Sequence, residues 1–230
     1  PQYVRNVLQL NTGGGKFTDV GYLSGIYATD WSWSGLISDF DNDGLQDIFI
    51  TNGYKKDITD MDFVAYSKES SLFGTDSIRL KKSTAALSAI EGVRKPNVLF
   101  KNTGDFQFGK PVCGLEHPSY SNGAAYADFD NDGDLDLAIN NINDPAFIYK
   151  NNSIENLPGQ SNFLQIKLNG NHYNTHGYGA KMEIRYHGKK QFREHGVHRG
   201  YQSSVDGTVH FGLGNEQKID TVIITWPGNK

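Results

Sequence analysis

The chain has 230 residues and a mass of 25.6 kDa, which is enough for one large domain or two modest ones. Hydrophobic residues make up 37% of it, aromatic residues 12% and charged residues 21%, a composition that excludes a disordered chain. The formal net charge of -4 provides no global basic field, so we predict no nucleic-acid partner and no binding to an anionic membrane surface.

The N-terminal sequence and the cysteine content exclude further classes. PQYVRNVLQL has neither an initiator Met nor a signal-peptide pattern, so we interpret the chain as a piece of a longer protein. Cys113 is the single cysteine, which excludes an intrachain disulfide framework. No apolar run approaches the roughly 20 residues that a membrane helix needs, so we predict no membrane span in this piece.

A turn motif recurs along the chain. NVLQLNTGGGKF at residues 6–17 returns as NVLFKNTGDFQF at residues 97–108, and a shorter copy, FIYKNNS, lies at residues 147–153. Each copy combines a strand-like apolar run with a turn rich in Asn or Gly. Acidic loops alternate with these copies, which predicts a repeated β unit.

The first acidic loop is DFDNDGLQD, residues 39–47. Its aspartates stand at loop positions 1, 3, 5 and 9, a glycine stands at position 6, and a backbone carbonyl is available at position 7. Two like charges about 4 Å apart repel by roughly 4 kcal/mol near a protein surface, so this crowding destabilises a fold unless a cation joins the carboxylates. Calcium takes six to eight oxygen ligands in a flexible arrangement, and the spacing therefore predicts a calcium site. Its predicted ligands are Asp39, Asp41, Asp43, Leu45 and Asp47.

In the segment 54–96 the spacing of apolar residues becomes helical, which interrupts the β pattern. Met61, Val64 and Ala65 fall at helical spacing, which predicts one helix through MDFVAYSKES. STAALSAIEG predicts a second helix that ends at Gly92. We therefore interpret the segment as a helical insertion.

The second acidic loop, DFDNDGDLD at residues 128–136, has the same spacing and predicts a second calcium site. The carbonyl of Asp134 takes position 7, and we expect its side chain to face solvent. Phe40 and Phe129 stand at position 2 of the two loops and are predicted to point into the β core. The predicted ligands of the second site are Asp128, Asp130, Asp132, Asp134 and Asp136.

Three other interpretations of these loops were compared with calcium binding. An EF-hand loop closes with a bidentate Glu at position 12 between two helices, whereas this position holds Ile50 or Ile139 and β-like segments follow. A phosphatase with a nucleophilic first Asp needs its Asp-x-Asp motif once, whereas this loop occurs twice and keeps its last Asp both times. Solvated acidic turns without a metal are the third interpretation.

From about Phe163 the acidic loops end and short alternating runs follow, namely FLQIKL, AKMEIRY, KQFREH, VHFGLG and VIITWP. This pattern predicts a second, small β-sandwich-like domain. The polar segment NNSIENLPGQSN, residues 151–162, is the predicted linker before it.

Histidine pairs and a tryptophan pair also suggest binding sites. The histidines of HYNTH and HGVH have spacings that suit a zinc site on a helix, but they lie among β-type runs, so we expect structural or solvated roles. Trp31 and Trp33 alternate with small polar residues in TDWSWSG. Such a pair suits a platform for a sugar ring, although it more often divides between core and surface.

At its turn motifs and acidic loops the chain resembles the FG-GAP or VCBS repeat family, which builds the calcium-loop blades of integrin α-subunit propellers. The matching pieces are NTGGGKF, NTGDFQF, DFDNDGLQD and DFDNDGDLD. The C-terminal region resembles the ASPIC/UnbV family through HGYGAKMEIRY, HFGLG and VIITWPGNK. The pairing of the two is similar to that in the cartilage acidic protein family and in Bacteroidetes surface proteins.

The expected fold is mostly β, with partial β-propeller blades that carry calcium loops and a helical insertion, followed by a small β-sandwich-like domain. The resemblance implies that the parent chain supplies the remaining propeller blades. The predicted units are residues 1–53 with the first blade and loop, 54–96 with the insertion, 97–160 with the second blade, loop and linker, and 161–230 with a truncated ASPIC/UnbV-like domain.

The expected function is that of a calcium-binding, non-enzymatic β-repeat module for adhesion, scaffolding or ligand binding. No G-x-S-x-G elbow, phosphate loop or Cys-His pairing occurs in the sequence, so we predict no enzyme. Extracellular calcium modules bind at roughly 0.1 to 1 mM, which favours an extracellular, cell-surface or periplasmic location and a protein or glycan ligand there. The alternative is a glycan-binding accessory protein or an enzyme component of a bacterial polysaccharide uptake system.

Overall fold

The computed structural model describes residues 5–57, 75–112, 114–156 and 158–228. The chain is mostly β, with 40% strand and 9% helix. The strands are β1 Gln9–Gly13, β2 Lys16–Asp19, β3 Ser32–Ser38, β4 Asp47–Asn52, β5 Val98–Gly104, β6 Gln107–Pro111, β7 Ser121–Ala127, β8 Asp136–Asn141, β9 Phe147–Tyr149, β10 Asn162–Ile166, β11 Lys181–Tyr186, β12 Lys189–Glu194, β13 Val209–Gly214 and β14 Thr221–Thr225. Within the described residues the helices are α1 Asp76–Ala89 and α2 Ser153–Asn156.

The strands form antiparallel sheets, and the described residues contain no closed propeller. β1 pairs with β2, and the next sheet has the order β3-β4-β5-β6. A third sheet has the order β7-β8-β9. The C-terminal region contributes the two-stranded sheet β10-β13 and the three-stranded sheet β12-β11-β14. Of the helices in the described ranges, none is long and apolar enough to cross a membrane.

Residues 98–111 complete the sheet of the first acidic loop, although the sequence grouped them with the second loop. β5 pairs with β4 through Phe49 opposite Leu99, and β6 follows β5 as a hairpin. The chain leaves and re-enters this sheet at one point, because Tyr54 and Val93 form a two-way backbone bridge at 3.1 and 2.9 Å. The insertion therefore divides one sheet instead of separating two.

Strand β4 lies at the centre of that sheet and is buried along its whole length. Successive side chains of a strand face opposite sides. Phe49 accordingly joins a core with residues of β7 and β8, whereas Ile48 and Ile50 join a core with Phe100 and Ile26. The sheet is thus covered on both faces, and the loop that follows β3 starts from a rigid support.

Helix α1 begins before the predicted STAALSAIEG segment and ends before Gly92. None of its residues is buried, so tertiary packing does not determine its bounds. The ammonium of Lys56 donates to the carbonyls of Ser88 at 2.9 Å and Ile90 at 2.7 Å, which satisfies two groups at the C-terminal end. Gly92 is required instead by close packing, since a Cβ there would lie 2.7 Å from the carbonyl of Tyr54. The predicted MDFVAYSKES helix lies outside the described residues.

The C-terminal sheets enclose one core between them. Met182, Ile184 and Tyr186 of β11 pack with Phe211 and Leu213 of β13. Strand β11 presents alternate apolar residues inward, as the sequence pattern predicts. The segment before this unit is not a free linker, because it contains α2 and hydrogen-bonds to both acidic loops.

Candidate metal centre

The two acidic loops occupy equivalent places in neighbouring sheets. The first connects β3 to β4 and the second connects β7 to β8, both across antiparallel pairs. Ser38 pairs with Asp47, and Ala127 pairs with Asp136. The first and last aspartates of each loop are therefore brought together at its base by strand pairing.

The aspartate at position 1 organises each loop through its own backbone. Asp39 accepts hydrogen bonds from the N–H of Asp43 at 3.2 Å and of Gly44 at 2.8 Å. Asp128 accepts the corresponding bonds from the amides at positions 5 and 6, both at 3.1 Å. The loops thus share one fold, which follows from local residue types and spacing.

The aspartate at position 9 locks each loop to a neighbouring strand. Asp47 accepts from the N–H of Phe40 at 3.0 Å and of Asn102 at 2.8 Å. Asp136 accepts from the N–H of Phe129 at 2.9 Å and of Asn151 at 2.7 Å. The two asparagines were missed by the sequence reasoning, but they are the asparagines shared by the repeated segments FKN and YKN.

Backbone geometry at positions 4 and 6 is also the same in both loops. Asn42 and Asn131 have φ angles of 59° and 60°, and Gly44 and Gly133 have φ angles of 93° and 98°. The left-handed region disfavours a side chain with a Cβ, and Asn tolerates it best after Gly. At Gly133 space is also short, because a Cβ would lie 1.9 Å from the ring of Phe163.

Several carboxylates converge in each loop. In each of three groups, every member offers an oxygen, and these oxygens lie within 4.8 Å of one another. The groups are Asp39, Asp41 and Asp43 in the first loop, Asp128, Asp130 and Asp136 in the second, and Asp132, Asp134 and Glu155 beside it. Asp47 lies outside the first group. Leu45 has an exposed side chain, and its backbone N–H donates to Asp43 Oδ1 at 2.8 Å. Glu155, on α2, is a further acidic neighbour that the spacing did not predict.

Two expectations for the second loop are wrong. Asp134 was expected to face solvent, but it is fully buried, and its Oδ2 accepts from the N–H of Ile154 at 3.2 Å. Phe129 was expected in the core, but it is 50% exposed, whereas Phe40 is buried as predicted. Asp134 is buried where the segment around Ile154, on α2, folds back over the second loop.

Burial and mutual repulsion disfavour the ionised form of several carboxylates in the loops. Burial, together with the neighbouring Asp43 carboxylate, raises the pKa of Asp39 to about 8. Burial also raises the pKa of Asp47 to about 7 and that of Asp134 to about 6. These three buried carboxylates therefore oppose ionisation unless a positive charge lies near them.

The donor set fits a hard divalent cation. Carboxylate oxygens converge in each loop, and hard divalent cations such as calcium prefer oxygen ligands. Asp41 Oδ1 and Asp134 Oδ1 are buried and have no hydrogen-bond partner. A buried, unpaired carboxylate oxygen is costly, and a coordinated cation would satisfy it.

The two loops are also tied to each other and to the C-terminal unit. Asn151 donates from Nδ2 to the carbonyl of Phe40 at 2.6 Å and to that of Leu135 at 3.2 Å, so it contacts both loops. Ser161 donates to the carbonyl of Asp41 at 2.9 Å. Gly212 of β13 packs so closely that a Cβ would lie 2.1 Å from an oxygen of Asp39. The predicted linker and β13 are thus parts of the site's walls.

The histidine and tryptophan pairs do not join this centre. His195 is buried and its Nε2 lies 2.9 Å from the carbonyl of His176, which is a structural contact. Trp33 donates from Nε1 to the carbonyl of Gly53 at 2.7 Å, whereas Trp31 is 38% exposed. The tryptophan pair divides between a structural and a surface position.

Comparison with known proteins informs the C-terminal part. No curated protein matches the chain. Residues 170–230 match the family model described as ASPIC and UnbV, which supports the resemblance predicted from HFGLG and the motifs around it.

Proposed function

We propose that this chain is a calcium-binding, non-enzymatic β-repeat module of an extracytoplasmic protein, in which each acidic loop holds one calcium ion. The observation that carries the proposal is the repetition of one loop geometry. Positions 1, 5 and 9 make the same backbone hydrogen bonds in both loops, although the second loop lies in a different sheet. Two nine-residue loops that make the same hydrogen bonds are better explained by a ligand that both bind than by an accidental clustering of aspartates.

Calcium suits this donor set better than the other common ions. Zinc prefers nitrogen and sulfur ligands in a tetrahedral site, and magnesium requires a near-ideal octahedron. The loops provide carboxylates of uneven burial on a flexible turn, which matches calcium's tolerance of irregular geometry. The proposed ligands in each loop are the aspartates at positions 1, 3, 5 and 9 and the carbonyl at position 7.

A structural role for the metal is supported by the burial of the loop bases. Asp39 and Asp136 are each at most 2% exposed and are held by backbone N–H groups. A nucleophile needs an open approach for its substrate, which these carboxylates lack. The ions would hold each β hairpin in place, so their removal would loosen the fold.

The wider assignment follows from the same units. We propose that β3-β4-β5-β6 is one propeller blade and that β7-β8-β9 belongs to the next, with further blades supplied by the parent chain. Their shared core supports this, as do the equivalent turns in which Asn102 and Asn151 each accept from the N–H two residues later. Because extracellular calcium modules bind at roughly 0.1 to 1 mM, such sites would be filled outside the cytoplasm, where an adhesive or scaffolding surface would meet a protein or glycan.

Calcium titration with calorimetry and thermal unfolding tests the proposal. We expect two calcium sites per chain and a fall in Tm after addition of EDTA. Asp43→Ala and Asp132→Ala should each remove one site, while Asp76→Ala, an exposed residue of α1, should leave both. Unchanged unfolding with EDTA, together with no heat of binding, contradicts the proposal.

A glycan-binding surface is a second candidate, favoured by one aromatic cluster. The ring of Trp31 lies 5.2 Å from that of Tyr54, and Trp33 lies 5.0 Å from Tyr201. Partly exposed aromatic faces of this kind can stack on sugar rings. A glycan array should then show binding that Trp31→Ala abolishes and that Tyr173→Ala, at an exposed site outside this cluster, leaves intact. An array without a specific signal removes this candidate.

A further inference from the structure

A lysine ammonium contacts the acidic cluster in each loop. Lys101 on β5 pairs with Asp41 and lies 3.5 Å from an oxygen of Asp43. Lys150, directly after β9, lies 2.6 Å from Asp130 and 3.2 Å from Asp132. The contacted aspartates are those at positions 3 and 5 in both loops.

These lysines reach the loops through the same feature of the fold. Each precedes the asparagine whose backbone N–H holds the position 9 carboxylate, in the segments FKN and YKN. One strand residue thus fixes the loop while its neighbour directs an ammonium at the loop's carboxylates. The first turn motif, which follows neither acidic loop, has Leu10 in place of the lysine.

We propose that Lys101 and Lys150 compete with calcium for the carboxylates at positions 3 and 5, so that each lysine sets the calcium affinity of its own loop. The proposal rests on the proposed function, because it takes these aspartates as calcium ligands. An ammonium and a calcium ion cannot share the same oxygens closely, since both are cations. Calcium must therefore displace the ammonium before it is fully coordinated.

The surroundings allow each ammonium to leave. The side chain of Lys101 is 46% exposed and that of Lys150 is 50% exposed, so each can rehydrate without crossing a packed core. Both also line a cavity of about 330 Å³ between the loops, beside Phe40 and Tyr149. The long flexible stem of lysine permits such a swing without a change in the backbone.

The two loops should differ in the strength of this competition. Lys150 has a third partner, Glu155 on α2, at 2.9 Å, whereas Lys101 pairs with two aspartates among the residues that the structure describes. Three charge-assisted contacts hold an ammonium more firmly than two. The second loop should therefore gain more calcium affinity when its lysine is removed.

Calorimetric titration of lysine variants with calcium chloride tests this competition. Lys101→Met should tighten the first site by about tenfold, the factor that corresponds to one lost charge-assisted hydrogen bond, and Lys150→Met should tighten the second site by more than that. Lys81→Met on α1 removes the same charge from an exposed helix and should change neither site. The titration is repeated in about 1 M potassium chloride, where the Debye length falls to roughly 3 Å. This salt screens the effect of the lysine charge at a distance, so the remaining difference reports its direct contact with the carboxylates.

A charge-retaining variant keeps the test decisive if a methionine variant does not fold. Lys101→Arg presents a planar fork that grips two carboxylates, so calcium binding to the first loop should weaken by several-fold. In urea unfolding of EDTA-treated protein, Lys101→Met should also be less stable than Lys81→Met, because four loop aspartates lose their nearby cation. In excess calcium this difference should disappear, because the displaced ammonium no longer stabilises the loop.

The possible outcomes separate this proposal from the proposed function. Tighter binding by the methionine variants at high salt supports competition, even if the wild-type protein binds calcium too weakly to detect. Binding by the wild type that neither methionine variant tightens overturns the competition alone. An absence of calcium binding in the wild type and in both variants overturns both proposals.

Discussion

The amide oxygen of Asn42 lies 2.6 Å from Nε2 of His210, which joins the first acidic loop to β13 across 168 residues of sequence. The same side chain donates from Nδ2 to the carbonyl of Gly133, in the second loop, at 3.0 Å. Its own carbonyl accepts from the N–H of Gly214 at 2.6 Å. One fully buried residue therefore connects both loops and the C-terminal sheet.

Asn42→Ala should consequently destabilise the protein far more than Asn131→Ala. Both residues stand at loop position 4 with nearly equal φ angles, but Asn131 is exposed. Loss of the Asn42 side chain leaves buried groups on His210 and Gly133 unpaired, at a cost of about 2 to 4 kcal/mol in the free energy of unfolding. Urea unfolding of the two variants measures the difference, and equal stabilities would show that the connection contributes little.

The stability of the folded state should fall in acid through His210. Burial, with a smaller effect of the nearby Arg193 charge, lowers the pKa of His210 from 6.5 to about 4. The ring is neutral in the folded protein. Its contribution to the free energy of unfolding is therefore complete above pH 6.5 and is lost as pH falls from 6.5 towards 4. The free energy of unfolding falls by up to about 3 kcal/mol over this range.

His210→Gln isolates this effect, since Gln still offers a donor to Asn42 but does not titrate. The free energy of unfolding of both proteins is measured at several pH values. As pH falls from 6.5 towards 4, the wild type should lose more of it than the variant. A difference that is independent of pH assigns the acid sensitivity to other groups.

Gly133→Ala should be strongly destabilising, because a methyl group has neither the conformation nor the space there. The φ angle is 98°, and the new Cβ would lie 1.9 Å from the ring of Phe163. We expect a loss of about 2 to 4 kcal/mol, combining backbone strain and overpacking. Gly207→Ala is the matched control, since nothing lies within 4 Å of its Cβ. Thermal unfolding of both variants measures the contrast, and similar Tm values would mean that Phe163 repacks easily.

Asn151 and Asn102 should differ in how many calcium sites they support. Nδ2 of Asn151 donates to carbonyls in both loops, whereas Nδ2 of Asn102 donates to Gln46, in the first loop. Asn151→Ala should therefore weaken calcium binding at both sites, and Asn102→Ala should weaken it at the first. Calorimetric titration separates the two patterns, and a single affected site in Asn151→Ala would show that its contact with Phe40 does not position the first loop.

Local sequence determined the acidic loops. The hydrogen bonds made within each loop join residues at most seven positions apart, as from Gly44 to Asp39 and from Phe40 to Asp47. Residue type and spacing suffice for such contacts, because an aspartate oxygen reaches only nearby N–H groups of the same turn. The alternation of apolar residues likewise predicted a mostly β chain, and the HFGLG motif predicted the match over residues 170–230.

Only the tertiary structure decided which strands pair and which residues surround the loops. The apolar pattern of β5 predicts a strand but not its partner, because periodicity records the face that is buried and not the neighbour that buries it. The contacts of Lys101, Asn151 and His210 with the loops span 58 to 168 residues of chain in the longest cases and depend on that pairing. Asp134 was misplaced for the same reason, since its burial comes from the segment around Ile154 that folds back over it. Nine consecutive residues therefore supply the carboxylates and the turn of each loop. The lysine that balances its charge and the hydrogen bonds that join it to other elements come from distant residues that strand pairing brings there.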